Sequence, residues 1–140
     1  MDGSGVSLML TIPRPLYDAM IQHLQDEYPL EACGLLAGQD GVVSRQYPIE
    51  NILRSPVAYE MEPTQQIQAI IELEEAGLEL SAIYHSHPQG PPAPSETDVA
   101  LAYWPDAAYI IVSLQDRAAP QTRAFAILEG RVTEIPLALL

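Results

Sequence analysis

The run Ile83-Tyr84-His85-Ser86-His87-Pro88 constrains this chain more than any other stretch. An apolar strand ends there on two imidazoles two residues apart. Residues i and i+2 of a strand project from the same face, so His85 and His87 point together while Ser86 points away. The Pro/Gly-rich run that follows, Pro88-Gln89-Gly90-Pro91-Pro92, can only be a loop. Ten residues separate His87 from Asp98, enough for that loop to bring the helix start Ser95-Glu96-Thr97-Asp98 back over the strand. Two imidazoles and one carboxylate can hold one zinc ion and leave a position open, the arrangement of a catalytic site. A structural zinc site takes four ligands, usually thiolates, and Cys33 is the chain's single cysteine.

Each of these residues also has a plainer role. Ser95 followed three residues later by an acid is close to a capping box, and alone the pair reads as a helix cap. Beside the two histidines Asp98 reads as a ligand, and Ser95 can serve both ends. His23, on a helix with no second ligand at i+4, reads as a packing histidine. Cys33 reads as a small buried hydrophobe. Glu31 opens the apolar run Glu31-Ala32-Cys33-Gly34-Leu35-Leu36-Ala37-Gly38, which reads as a buried strand. A carboxylate at the edge of such a strand can act as general base and then as acid if it reaches the attacking water.

Taken together, Glu31, His85, His87, Ser95 and Asp98 resemble the signature of the JAMM/MPN (Mov34/PAD-1-like) zinc metalloproteases. That signature is a distant Glu, then H-x-H, ten residues and D, with an S-x-x-D ending. Tyr28-Pro29-Leu30-Glu31-Ala32-Cys33-Gly34-Leu35-Leu36, Pro48-Ile49-Glu50-Asn51-Ile52 and Ser55-Pro56 are similar to the corresponding stretches of its small stand-alone prokaryotic members. The resemblance implies Zn2+ on His85, His87 and Asp98, with water in the fourth position. It implies Glu31 as general base and acid, and Ser95 as donor to the oxyanion. It also implies a partner: a ubiquitin-fold sulfur carrier, or another ubiquitin-like protein, cut after its C-terminal Gly-Gly. Removal of ubiquitin-like modifiers from lysine is the alternative, and a non-catalytic MPN-type scaffold is disfavoured by the intact ligand set. A deaminase of related fold would bring a P-C-x-x-C pair, which one cysteine cannot supply. A phage-tail type endopeptidase would bring a second hydrolase domain, of which the sequence gives no sign.

Composition narrows the setting. With 6 Lys+Arg, all of them arginine, against 19 Asp+Glu, the net charge of −13 repels nucleic acid and offers anionic lipid no basic patch. The absence of lysine excludes lysine-based catalysis. No apolar run approaches the ~20 residues of a membrane span, no signal peptide is expected because no basic stretch precedes an apolar one near residue 1, and a lone cysteine suits a reducing cytoplasm. A hydrophobic fraction of 48% and a length of 140 residues fit one domain over residues 1–140.

Along the chain, strands are expected at 6–12, 31–37, 42–49, 78–87, 108–114, 122–128 and 131–135, with a further short strand around Tyr59 and Met61. Pro13 and Pro15 open a first helix with Leu16, Met20 and Leu24 at i+4. Pro63 opens a second, with Ile67, Ile70 and Ile71 toward the core and Gly77 ending it. Ser95 opens a third, expected to run to about Tyr103, with Tyr103, Trp104 and Tyr109 packing in the core or at the helix end. Hairpins outnumber βαβ units, so the fold class is mixed α/β (α+β). The resemblance implies a cytidine-deaminase-like curved mixed sheet flanked by helices.

Overall fold

The computed structural model describes residues 9–140. Its element order is β1 (Leu10–Ile12), α1 (Arg14–Glu27), β2 (Cys33–Gln39), β3 (Val42–Ile49), α2 (Pro63–Glu75), β4 (Glu79–His87), α3 (Glu96–Ala100), β5 (Ala108–Ser113), β6 (Gln121–Leu128), β7 (Arg131–Ile135) and β8 (Leu137–Leu139). The strands form one eight-stranded mixed sheet in the order β7-β6-β5-β4-β2-β3-β1-β8. β4 and β5 run parallel, as do β1 with β3 and β1 with β8, and the other neighbours are antiparallel. Of the strand expected at 6–12, the part before residue 9 lies outside the described residues.

Strand alternation sorts the core into two layers. Ala82, Tyr84, Val112 and Ile110 join Met20 and Leu24 of α1 on one face of the sheet. Ile83, Ile111, Tyr109 and Leu35 join Ala69 on the other, the face that carries α2. His85 and His87 share the parity of Ile83, so they belong to this second face, where α3 follows.

Local chemistry sets the element ends. Asp40 and Gly41, both at positive φ (54° and 79°), make the two-residue turn between β2 and β3. Gly77, at φ 76°, ends α2 as expected: its N–H donates to Glu74 O and that of Leu78 to Leu73 O, the Schellman pattern. At Gly34 the reason for glycine is space: a Cβ there would lie 2.4 Å from the Tyr84 ring. Tyr84 lies across its register partner Gly34. Its hydroxyl accepts from Gln46 Nε2 (3.0 Å) and sits 2.7 Å from Nδ1 of His23, which makes His23 the packing histidine it reads as.

Several expectations change. On α2 the buried residues are Ala69 and Leu73, with Ile70 beside them, whereas Ile67 and Ile71 are 59% and 50% exposed. The small Ala69 lets that stripe approach the sheet, and at 100° per residue Ile67 and Ile71 lie well round the helix from it. α3 stops at Ala100 instead of running to Tyr103. Trp104 precedes Pro105, which disfavours helical backbone there, and its N–H bonds instead to the Tyr109 hydroxyl. Tyr103 is 72% exposed and does not pack in the core, while Tyr109 does. Around Met61 there is an isolated bridge to Asn51 rather than a strand.

Candidate metal centre

The end of β4 and the first turn of α3 bring His85, His87 and Asp98 together. Nε2 of His85, Nε2 of His87 and Oδ2 of Asp98 form a triangle with sides of 3.1, 3.3 and 3.0 Å. Tetrahedral zinc with bonds of about 2.0–2.2 Å to nitrogen and oxygen spaces its ligands roughly 3.3 Å or a little more apart, so the triangle approximates one face of that polyhedron. The tautomer of His87 agrees. Its Nδ1 lies 2.8 Å from the carbonyl oxygen of Pro91, which can only accept, so Nδ1 carries the proton. In the neutral ring Nε2 then presents a lone pair, the usual orientation of a metal-ligating histidine. That lone pair meets a carboxylate oxygen at 3.0 Å. Two acceptors face one another this closely only with positive charge between or upon them.

The remaining contacts fix these side chains in place. Asp98 is held by a full capping box: its N–H donates to Ser95 Oγ (3.0 Å) and its Oδ2 accepts from Ser95 N–H (2.9 Å). The oxygen that caps α3 is thus the oxygen that faces both imidazoles. Tyr59 stacks on the His85 ring, centroids 4.6 Å apart and tilted by 33°. Nδ1 of His85 is buried and bonds to nothing among the described residues. Ser86, between the histidines, turns to the other face as expected and accepts the Ala32 N–H at 3.0 Å.

Glu31 lies two residues before β2 rather than within it. Cys33 pairs with His85 and the bond Ser86 N to Ala32 O continues the ladder, so Glu31 comes opposite His87. It is only 5% exposed. Burial raises its pKa to about 7, with His87 pulling it down and Asp98 pushing it up. Such a carboxyl is poised to exchange protons near neutral pH.

The triad titrates as a coupled unit. Burial alone would raise Asp98, but hydrogen bonds and charge from the two histidines and the Ser95 N–H hold it far below the ordinary carboxylate range. Burial lowers His85, only partly opposed by Asp98. Burial would lower His87 too, yet Asp98 and the Pro91 carbonyl turn the net shift upward. Cys33 takes no part: burial pushes its thiol up to about 12, and it donates weakly to Ile49 O.

Beside Asp98 opens a cavity of about 250 Å³, lined among others by Val57, Tyr59, Ile83, Leu101, Trp104 and Tyr109. Residues 57–61 form one wall; from the sequence only a short strand around Tyr59 and Met61 is expected there, with no role at the site. Asn51, at the start of the loop that leads into this wall, is buried.

Comparison with known proteins places the chain among its relatives. Residues 13–128 match the family described as prokaryotic homologs of the JAB domain. The CysO-cysteine peptidase of Mycobacterium tuberculosis is 38% identical over 135 residues, covering 95% of this chain and 92% of that protein. A probable TtuB-protein conjugate cleaving protease of Thermus thermophilus is 40% identical over 139 residues, covering 99% and 88%. The solution structure of a protein from Desulfitobacterium hafniense superposes with a TM-score of 0.85 at 34% identity, covering 94% and 93%. By the family match over residues 13–128 and its relatives' identity, this chain belongs to the prokaryotic JAB (JAMM/MPN) family.

Proposed function

We propose that this chain is a zinc metallopeptidase that hydrolyses the peptide or isopeptide bond after the C-terminal Gly-Gly of a ubiquitin-like sulfur carrier protein. The observation that carries the reading is the triangle of His85, His87 and Asp98, set opposite a buried carboxyl whose pKa is raised to about 7. Two relatives are named as a CysO-cysteine peptidase and as a probable TtuB-protein conjugate cleaving protease. The first name favours carrier processing, and the second keeps cleavage from lysine as the alternative with the same chemistry. Residues 1–140 act as one domain in this reading, in the cytoplasm, where a lone buried thiol is at home. Among the described residues no helix is long and apolar enough to cross a membrane.

His85, His87 and Asp98 would hold the zinc. When bound, the ion supplies Lewis-acid polarisation of the scissile carbonyl and lowers the pKa of the attacking water. Glu31 accepts the proton of that water and delivers it to the leaving amine. Ser95, exposed at the start of α3, keeps its hydroxyl hydrogen free while its oxygen caps the helix, so it can donate to the oxyanion. The mostly apolar cavity beside Asp98 is where the tail of the carrier would lie.

The test is mass spectrometry of ubiquitin-fold carriers extended beyond Gly-Gly, before and after incubation with the zinc-loaded protein. The expected product ends at the second glycine. Equal cutting of unrelated unfolded peptides would leave only a general zinc peptidase.

A further inference from the structure

Asn51 is buried at 8% exposure and uses every hydrogen-bonding position an amide has. Its Oδ1 accepts from Leu53 N–H (3.0 Å) and Glu60 N–H (3.1 Å). Its Nδ2 donates to Ala58 O (3.1 Å) and to Glu31 O (2.9 Å). Three of those bonds close the loop 52–60 upon itself, and the fourth leaves the loop for the main chain of Glu31. Glu31 stands before β2, outside the ladder, and its own N–H donates to Ser55 O of the same loop at 2.8 Å. Both main-chain polar groups of Glu31 are thus held by the segment 51–55. The same loop presents Tyr59 to the His85 ring, and Val57, Ala58, Tyr59 and Glu60 to the cavity.

We propose that Asn51 is a positioning residue for the reaction: it fixes the Glu31 backbone to the loop that walls the substrate cavity, so the base is aimed by the element that receives the tail. The inference rests on the assignment of Glu31 as base and adds the means by which it is placed. Asparagine is specific for the task. An aspartate of the same shape keeps both acceptor bonds to Leu53 and Glu60 but turns the two donated bonds into carboxylate–carbonyl contacts.

The experiment compares wild type, Asn51→Asp, Asn51→Ser and Glu31→Gln as full-length, zinc-loaded proteins. It measures zinc content, kcat and KM on a Gly-Gly-extended carrier, and amide hydrogen exchange. For Asn51→Asp, zinc stays stoichiometric and KM stays within about threefold. kcat falls on the order of 10- to 100-fold, the scale of a base displaced by a fraction of an ångström to one ångström. Exchange at the Glu31 amide speeds up at least tenfold, while Leu53 and Glu60 stay protected. A wild-type kcat in Asn51→Asp overturns the proposal. So does a kcat loss that tracks lost zinc or a uniform loss of protection, because Asn51 then serves only the fold. Should Asn51→Asp not fold, Asn51→Ser is read by its zinc content and by kcat against KM alone, and failure of both to fold also overturns it. An inactive Glu31→Gln beside a fully active Asn51→Asp removes this inference alone, whereas an active Glu31→Gln removes the assignment beneath it.

Discussion

Replacing Glu31 by glutamine separates two properties that burial has combined in one residue. In the zinc-free protein the folded-state pKa of Glu31 stands at about 7, above the ordinary 4.5, because burial penalises the carboxylate. Between those values the folded chain binds more protons than the unfolded chain. Stability is therefore fully present below about pH 4.5 and is lost as pH rises through about 7. At 1.36 kcal/mol per pH unit the loss is about 3 kcal/mol, or roughly 10 °C in melting temperature for a domain of this size. Glutamine cannot ionise, so Glu31→Gln escapes this loss. Urea unfolding of the zinc-free proteins from pH 4.5 to 8.5 should show the variant gaining about 3 kcal/mol on wild type across the window. The difference between the curves also carries the coupling of Glu31 to His87 and Asp98, whose charges act on it in opposite senses. The zinc-loaded variant should keep its metal and lose turnover by about 10²–10⁴-fold, the scale of a general base. Parallel stability curves would refute the burial argument, and wild-type turnover would refute the role as base.

His85→Ala and His87→Ala should each lose stoichiometric zinc by atomic absorption while the circular dichroism of the fold persists; full zinc in both would remove the ligand assignment. Ser95→Ala should cost on the order of 10²-fold in kcat through the lost oxyanion donor and about 1 kcal/mol through the lost cap, and unchanged turnover with lower stability would reduce Ser95 to a cap. Gly34→Ala places a methyl 2.4 Å from the buried Tyr84 ring, an overpacking worth about 2–3 kcal/mol in thermal or urea unfolding. A neutral result would mean that the ring can swing aside.

What the sequence discloses about this molecule depends on the range of the interaction concerned. The parity of His85 and His87 and the cap at Ser95 and Asp98 are local rules, and the structure brings these residues together as those rules require. The hairpin strands Val42–Ile49 and Arg131–Ile135 were equally legible, since turn residues and alternation bound them. β8 was missed because a three-residue strand has little pattern of its own and pairs with β1 from the far end of the chain. On α2 the expectation holds for Ile70 and fails for Ile67 and Ile71, because close approach to the sheet favours the small Ala69 over a branched side chain. Asn51 shows the same limit at the site. Nothing local marks one asparagine as the centre of a loop, and its partners run from Glu31 to Glu60.

The capping oxygen of α3 has a thermodynamic consequence. One atom, Oδ2 of Asp98, closes the first turn of a five-residue helix and completes the ligand triangle. A helix that short cannot repay its own nucleation and stands only with outside support. If a cation occupies the triangle, its binding and the ordering of α3 are linked equilibria, and each shifts the other by the same free energy. The two halves of the centre, the end of β4 and the first turn of α3, thus meet at a single oxygen that serves the helix and faces both imidazoles.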